Sequence, residues 1–358
     1  MQGQTFGQIL QLNTFGESHG EAIGGIITGF PAHIKVDYKL MKAELHRRST
    51  GRSFFDSSRK EADEVHFLSG IKDGLTLGTP VAFYVKNKDA KSKDYENLKD
   101  VYRPSHADYT WQKKYGIRDY RGGGRSSARE TLNWVVAGAF AKMYINTLGI
   151  IPVAFVSGIG NVSLNEEYTA FNLSNTLSEP LYCPDKITTD KMLALLKKTA
   201  QKGDTLGGHI TCVVKGVPVG LGEPVFDKLH ARLAYAMMSI NAAKGFEYGR
   251  GFAAASICGS ENNDIFTSSD GSIVTASNNS GGIQGGISNG MDIYFRVAFK
   301  PVATLGIPQQ TVDTSGKALT FEAGGRHDVC PVPRAVPIVE ALTALVIADF
   351  VLLQNINE

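Results

Sequence analysis

The sequence predicts an α+β fold in which helices and strands are mixed. Three observations lead there. Short β-like runs recur at residues 23–28, 81–85, 209–214, 253–257 and 292–298, several of them bounded by glycine. Four other segments place apolar residues at helical spacing. The two kinds do not follow one another in the regular order of a doubly wound parallel sheet.

Taken in order, the first helical segment spans 127–148. Ser127 and Glu130 form an S-x-x-E capping box, Leu132, Val135, Val136, Ala139, Phe140 and Met143 recur at helical spacing, and Gly149 supplies a stop. A second helix is expected over 190–202, ended by Gly203. A third, around 224–243, places Phe226, Leu229, Leu233 and Met237 on one face. The last follows Pro337, which suits a first turn, and buries Val339, Leu342, Val346 and Phe350. Residues 86–100, crowded with Lys, Asp and Asn, read as an exposed loop. No repeat or linker divides the chain, so residues 1–358 are read as a single large domain.

At 358 residues, with 42% hydrophobic and 20% charged, the chain can bury a sizeable core and has the composition of a soluble globular protein. The first ten residues carry no basic flank ahead of an apolar run, so no secretory signal is expected. No stretch is expected to reach the length of a membrane-spanning helix. Cys183, Cys212, Cys258 and Cys330 lie far apart without a C-x-x-C pair. They read as partly buried small hydrophobes in a reducing cytoplasm, with neither zinc cluster nor disulfide framework. Net charge is only +2 but uneven: residues 35–60 carry eight Lys/Arg against three acids, and residues 113–129 carry six against one. Beside glycine-rich loops, such patches suggest a phosphorylated ligand.

Chemistry concentrates in three places. In Arg121-Gly-Gly-Gly-Arg125-Ser-Ser-Ala-Arg129-Glu130, glycines let backbone approach a ligand, and serines open a helix whose first N–H groups lack internal partners. The Gly-Lys-Ser/Thr ending of a nucleotide-hydrolysing loop is missing. His19, in Gly16-Glu-Ser-His-Gly20, and His106, in Arg103-Pro-Ser-His-Ala-Asp108, sit in polar turns where imidazole suits proton transfer. No metal-ligand spacing joins any of the histidines. Gly324-Gly-Arg-His-Asp328 adds a cation and a carboxylate ahead of the last helix. Gly249-Arg-Gly-Phe-Ala-Ala254 loosely fits a dinucleotide fingerprint. With no convincing strand before it and a strand-like run after it, it reads as a turn.

These motifs together resemble the chorismate synthase family. Gly16-Glu-Ser-His-Gly with Gly29-Phe-Pro31 resembles its N-terminal signature. Gly122-Gly-Gly-Arg-Ser-Ser-Ala-Arg-Glu-Thr131 resembles the central one, and Gly325-Arg-His-Asp with Arg334-Ala-Val-Pro-Ile-Val-Glu340 the C-terminal one. The likeness spans nearly the whole chain. It implies a β-α-β sandwich, a homotetramer, and anti-1,4 elimination of phosphate from 5-enolpyruvylshikimate 3-phosphate to give chorismate, with reduced FMN and no net redox change. By position, Arg125, Ser126, Ser127, Asn241, Ala242, Gly285, Lys300, Pro301, Val302, Ala303, Thr304 and Arg326 match residues that contact FMN. His19 and His106 match the histidines assigned to proton transfer, toward flavin and departing phosphate. Asp328 matches the aspartate given the C6 proton, and Arg48 a residue given to substrate or NADPH. The sequence departs from the pattern at Phe54, where close relatives carry a second arginine, so no NADPH contact is carried over there.

Two rival classes share the same basic patches. A polyanion- or RNA-binding module would interleave aromatic with basic residues, and this sequence does not. A flavin oxidoreductase would consume NADPH in proportion to product. The expected partner is a small molecule, with no nucleic acid and no membrane.

Overall fold

The computed structural model describes residues 3–51, 53–56, 63–88, 98–177, 179–269, 271–322 and 328–357. Among them are seven α-helices: α1 Tyr38–Arg48, α2 Asp108–Tyr115, α3 Thr131–Asn146, α4 Lys186–Gln201, α5 Leu229–Met238, α6 Gly259–Asn262 and α7 Val332–Asn357.

Two five-stranded antiparallel sheets flank the central helices. The first has the order Thr5–Phe6, Gln11–Gly16, Ala22–Thr28, Val81–Lys86, Val65–Phe67. The second has the order Val162–Ser163, Ile151–Ile159, Gly208–Lys215, Ile293–Phe299, Ala243–Tyr248. Strand residues alternate as a one-sided sheet requires: Val81, Phe83 and Val85 are buried, as are Ile293, Phe295, Val297 and Phe299. Against the first sheet lies α3, and against the second lies α7, with α3 and α7 packed on each other between them. The architecture is therefore a β-α-β sandwich, and its α+β class follows from the sequence reading.

Packing on several sides explains why α3 is buried almost all round, from Thr131 to Ile145. Close approach fixes one mid-helix residue. A Cβ on Gly138 would lie 2.3 Å from the Cβ of Ala341 and 2.5 Å from its Cα. Lys142, also on α3, is buried, and its ammonium donates to Glu44 of α1 at 2.8 Å and Glu340 of α7 at 2.6 Å. Arg47 binds the same two carboxylates.

Several expectations are corrected. The first helix begins at Thr131, after a 3-10 turn at Ala128–Glu130. Ser127 caps Arg129 N and not Glu130 N, while Glu130 turns to Arg125 and Asn133, so the capping box is not formed. The second helix starts earlier, at Lys186, because Asp185 accepts from Thr188 N. The third is confined to Leu229–Met238, and Ala243 opens a strand. In α7, burial of Val332, Ala335 and Val336 extends the helix ahead of Pro337, which lies inside it, and leaves Pro333 in the first turn.

The run 253–257 is no strand: Gly251–Ser256 forms 3-10 turns, anchored where Glu247 accepts from Phe252 N at 3.0 Å. A strand, Ala243–Tyr248, does precede the glycine string, but it pairs antiparallel with Ile293–Phe299, unlike a dinucleotide-binding βαβ unit. One helix, across residues 332–355, is after all long and apolar enough to cross a membrane; 89% of its most apolar window is buried, and it forms the core. Cys183, Cys212 and Cys330 are buried, but Cys258 is exposed, against expectation. The expected loop at 86–100 lies mostly outside the described residues.

Candidate active site

Gly122, Gly123 and Gly124 have φ of +66°, +87° and +53°. Three successive left-handed residues are a backbone path that side chains resist. Space is short as well: a Cβ on Gly122 would collide with the His19 ring at 2.2 Å, and one on Gly123 would crowd Ser126 Oγ at 3.1 Å and touch His106 Cε1 at 3.5 Å. The two histidines, 87 residues apart in sequence, therefore meet the same glycine turn at adjacent residues. Ser18 Oγ lies 3.1 Å from His19 Nδ1 and bonds the Arg121 carbonyl, which ties His19 to the entry of the loop.

The far end of the loop is fastened differently. Ser126 Oγ donates to the Gly123 carbonyl at 2.7 Å, and Asn241 Nδ2 donates to the Ser126 carbonyl at 3.0 Å. Ala242 adopts φ +67°, and its carbonyl accepts from Lys300 N. Lys300 Nζ then donates to the carbonyl of Ser105, itself at φ +56°, one residue before His106. Burial, and then the charge of Lys244, pull the Lys300 ammonium below its ordinary pKa.

His106 is also held from its other side. Its Nδ1 lies 2.9 Å from Asp108 Oδ1. Arg103 donates to Asp108 through Nε and Nη2, each at 2.8 Å, and Arg118 stands 3.3 Å away. Burial works to raise the Asp108 carboxyl, but hydrogen bonds from Arg103 and His106 hold it well below the usual carboxylate range.

Arg125, an FMN contact by resemblance, also braces the loop. Its guanidinium bonds Glu130 at 2.7 Å, Thr14 Oγ1 at 2.7 Å, Gln4 and the Gly16 carbonyl, bracing the loop to the first sheet. Pairing runs through the basic patch: Arg118 with Asp108, Arg121 with Asp119, Arg129 with Asp63. Counting charge within a window overstated it, because Asp63, Asp108 and Glu130 lie outside the window.

Arg48 is buried behind the loop, donating to Thr131 Oγ1 at 3.0 Å and the Ala128 carbonyl at 3.1 Å, and pairing with Asp63. Arg334 donates to the Arg48 carbonyl and pairs with Asp328, so Asp328 is linked to the rear of the loop. Arg326 lies outside the described residues. Gly285 is exposed in the turn between Ile283–Gln284 and Ile287–Ser288. Pro301 is exposed, Val302 accepts from Thr205 Oγ1 at 2.9 Å, and Ala303 and Thr304 continue half-buried. The structure thus brings together His19, His106, Ser126, Ser127, Asn241, Ala242 and Lys300, with Arg125 beneath. Sequence reasoning missed Arg103, Asp108, Arg118 and Lys244. For the first two the signal was local, a cation and a carboxylate bracketing His106.

A family model described as chorismate synthase matches residues 10–352. The chain belongs to the chorismate synthase family. Among similar chorismate synthases, that of Parabacteroides distasonis is 56% identical over 354 residues and that of Phocaeicola vulgatus 54% identical over 354, covering 99% of both chains in each case. One from Christiangramia forsetii is 56% identical over 352 residues, covering 98% of each. A crystal structure of chorismate synthase superposes with a TM-score of 0.77 at 30% identity, across 98% of this chain and 93% of that one. Family membership makes this chain an enzyme of chorismate formation, as the sequence motifs implied.

Proposed function

We propose that the chain removes phosphate from 5-enolpyruvylshikimate 3-phosphate by anti-1,4 elimination to give chorismate, using reduced FMN without net redox change. The observation that carries this reading is the convergence of His19 and His106 on one glycine turn in a chain of this family. The site fits a flavin phosphate. Lys300 is destabilised by burial and by Lys244, a strain that a neighbouring dianion relieves. Asn241, Ser126, Ser127 and the backbone around Gly123 add hydrogen-bonding groups, and the left-handed glycines keep that backbone bare. Reduced FMN supplies an electron-rich ring that favours loss of an allylic phosphate.

The chain's own residues orient and move protons. His19 and His106 are the proton-transfer groups, one toward the flavin and the other toward the departing phosphate, whose charge a proton lowers as the C–O bond breaks. Asp328, tethered by Arg334, accepts the C6 proton, and Arg48 stiffens the rear of the loop from Ala128 to Thr131. In this reading residues 1–358 are one catalytic domain, acting in the cytoplasm as a homotetramer.

The decisive experiment mixes enzyme, reduced FMN and substrate anaerobically. A transient flavin spectrum, with chorismate formed and no net reductant consumed, is expected. Oxidation of NADPH in step with product would favour an oxidoreductase, and an unperturbed flavin would favour simple anion binding. His106→Ala is expected to keep FMN affinity while turnover drops by roughly 10²–10⁴-fold.

A further inference from the structure

Resting on that reading, we propose that Thr205 is a positioning residue for the run from Lys300 to Thr304, fixing the backbone face that this run offers to the flavin. Beyond Phe299 the chain leaves the second sheet, so no strand ladder orders Pro301, Val302 and Ala303. A side chain orders them instead. Thr205 is buried, and its hydroxyl donates to the Val302 carbonyl at 2.9 Å. The peptide joining Val302 to Ala303 is planar and trans, which points its N–H opposite to its carbonyl. Holding that carbonyl on Thr205 therefore aims the Ala303 N–H away from Thr205. Among the described residues none accepts from this N–H. A half-buried donor in a run that matches flavin contacts by resemblance is suited to an oxygen of the cofactor.

The anchor itself has little freedom. Thr205 lies in the link 202–207, between α4 and the strand Gly208–Lys215. Within that link the Gly203 carbonyl accepts from Gly306 N at 2.9 Å, and Asp204 Oδ1 accepts from Thr205 N at 2.7 Å. At Gly207 the link presses on the run directly. A Cβ there would lie 2.2 Å from the Phe299 carbonyl oxygen and 3.1 Å from Pro301 Cδ, so glycine permits the approach. Between the two contacts, Leu206 N donates to the Val329 carbonyl at 2.8 Å, one residue past Asp328. Successive residues of one short link thus hold the cofactor run and the neighbourhood of Asp328, which sets these two parts of the site in register.

The test measures the dissociation constant of reduced FMN, by anaerobic titration of the full-length enzyme, in Thr205→Val, Thr205→Ser and Thr199→Val. Valine keeps the shape of threonine without its hydroxyl, so affinity is expected to fall roughly tenfold, and serine should restore it to within about twofold. Thr199 of α4 makes a bond of the same kind, donating to the Leu195 carbonyl at 3.0 Å, and its valine variant should bind FMN as the wild type does. Melting curves without FMN separate loss of fold from loss of aim, since a merely structural hydroxyl lowers Tm and leaves the affinity of folded protein unchanged. If Thr205→Val does not fold, Thr205→Ala carries the same comparison. Unchanged affinity in the folded Thr205 variant, an equal loss in Thr199→Val, or no recovery with serine would overturn the inference. A wild-type enzyme that binds no reduced FMN would instead overturn the functional reading beneath it.

Discussion

Replacing Glu340 by glutamine probes the ion cluster that joins the three helices around the core. The Glu340 carboxylate accepts from Arg47 at 2.7 and 3.0 Å, from Lys142 at 2.6 Å and from Ala154 N at 2.9 Å. Burial alone would raise its pKa, but Arg47 and Lys142 overrule that and hold it well below the usual carboxylate range. The lowered pKa means that the charged carboxylate stabilises the fold. Because the folded value lies below the unfolded one, the contribution is present above the ordinary carboxylate pKa and is lost as pH falls below it. Glu340→Gln removes it at every pH and takes a carboxylate charge away from two buried cations, a breakage that typically costs about 3–5 kcal/mol. Urea unfolding at pH 7 should show that loss. As pH falls through the carboxylate range the wild type should lose more stability than the variant. A variant within about 1 kcal/mol of wild type at pH 7, or equal losses in acid, would refute the reasoning.

Two further outcomes are expected. Gly122→Ala and Gly74→Ala share the left-handed backbone penalty of about 1–2 kcal/mol, but only the first strikes another group, the His19 ring. Turnover should collapse in Gly122→Ala and stay near normal in Gly74→Ala; equal turnover in the two would separate His19 from the loop. A thiol reagent should modify one cysteine rapidly in the native enzyme and none in Cys258→Ser, since burial hides the other three and pushes the Cys330 thiol up to about 12. A second fast thiol in the folded variant would contradict the burial pattern.

Strands were the most legible part of the fold, because half-buried runs such as 81–85 and 292–298 advertise themselves through local apolar content. Helix ends were not, since tertiary contacts set them: Pro337 looked like a start only while the burial of Val332 and Val336 was invisible. Residues 253–257 failed for a similar reason, as the Glu247 side chain five residues back captures Phe252 N and coils the segment. At the site, the motif residues could be named from the chain, and the structure gathers His19, His106, Ser126, Asn241 and Lys300. What sequence could not supply was charge pairing. The pairing of Arg125 with Glu130 and Thr14 shows only once the chain is folded.

Asp349, near the end of α7, accepts from the backbone N–H groups of Gln8, Ile9 and Leu10 at 2.8, 2.8 and 2.9 Å. About 340 residues of sequence separate these partners. On the ribosome, the N-terminal segment therefore emerges long before the carboxylate that satisfies it. The first sheet and α3 must wait, with apolar faces bare, until α7 slides between the layers. Long-range closure of this kind slows folding and extends the time a chain is open to aggregation.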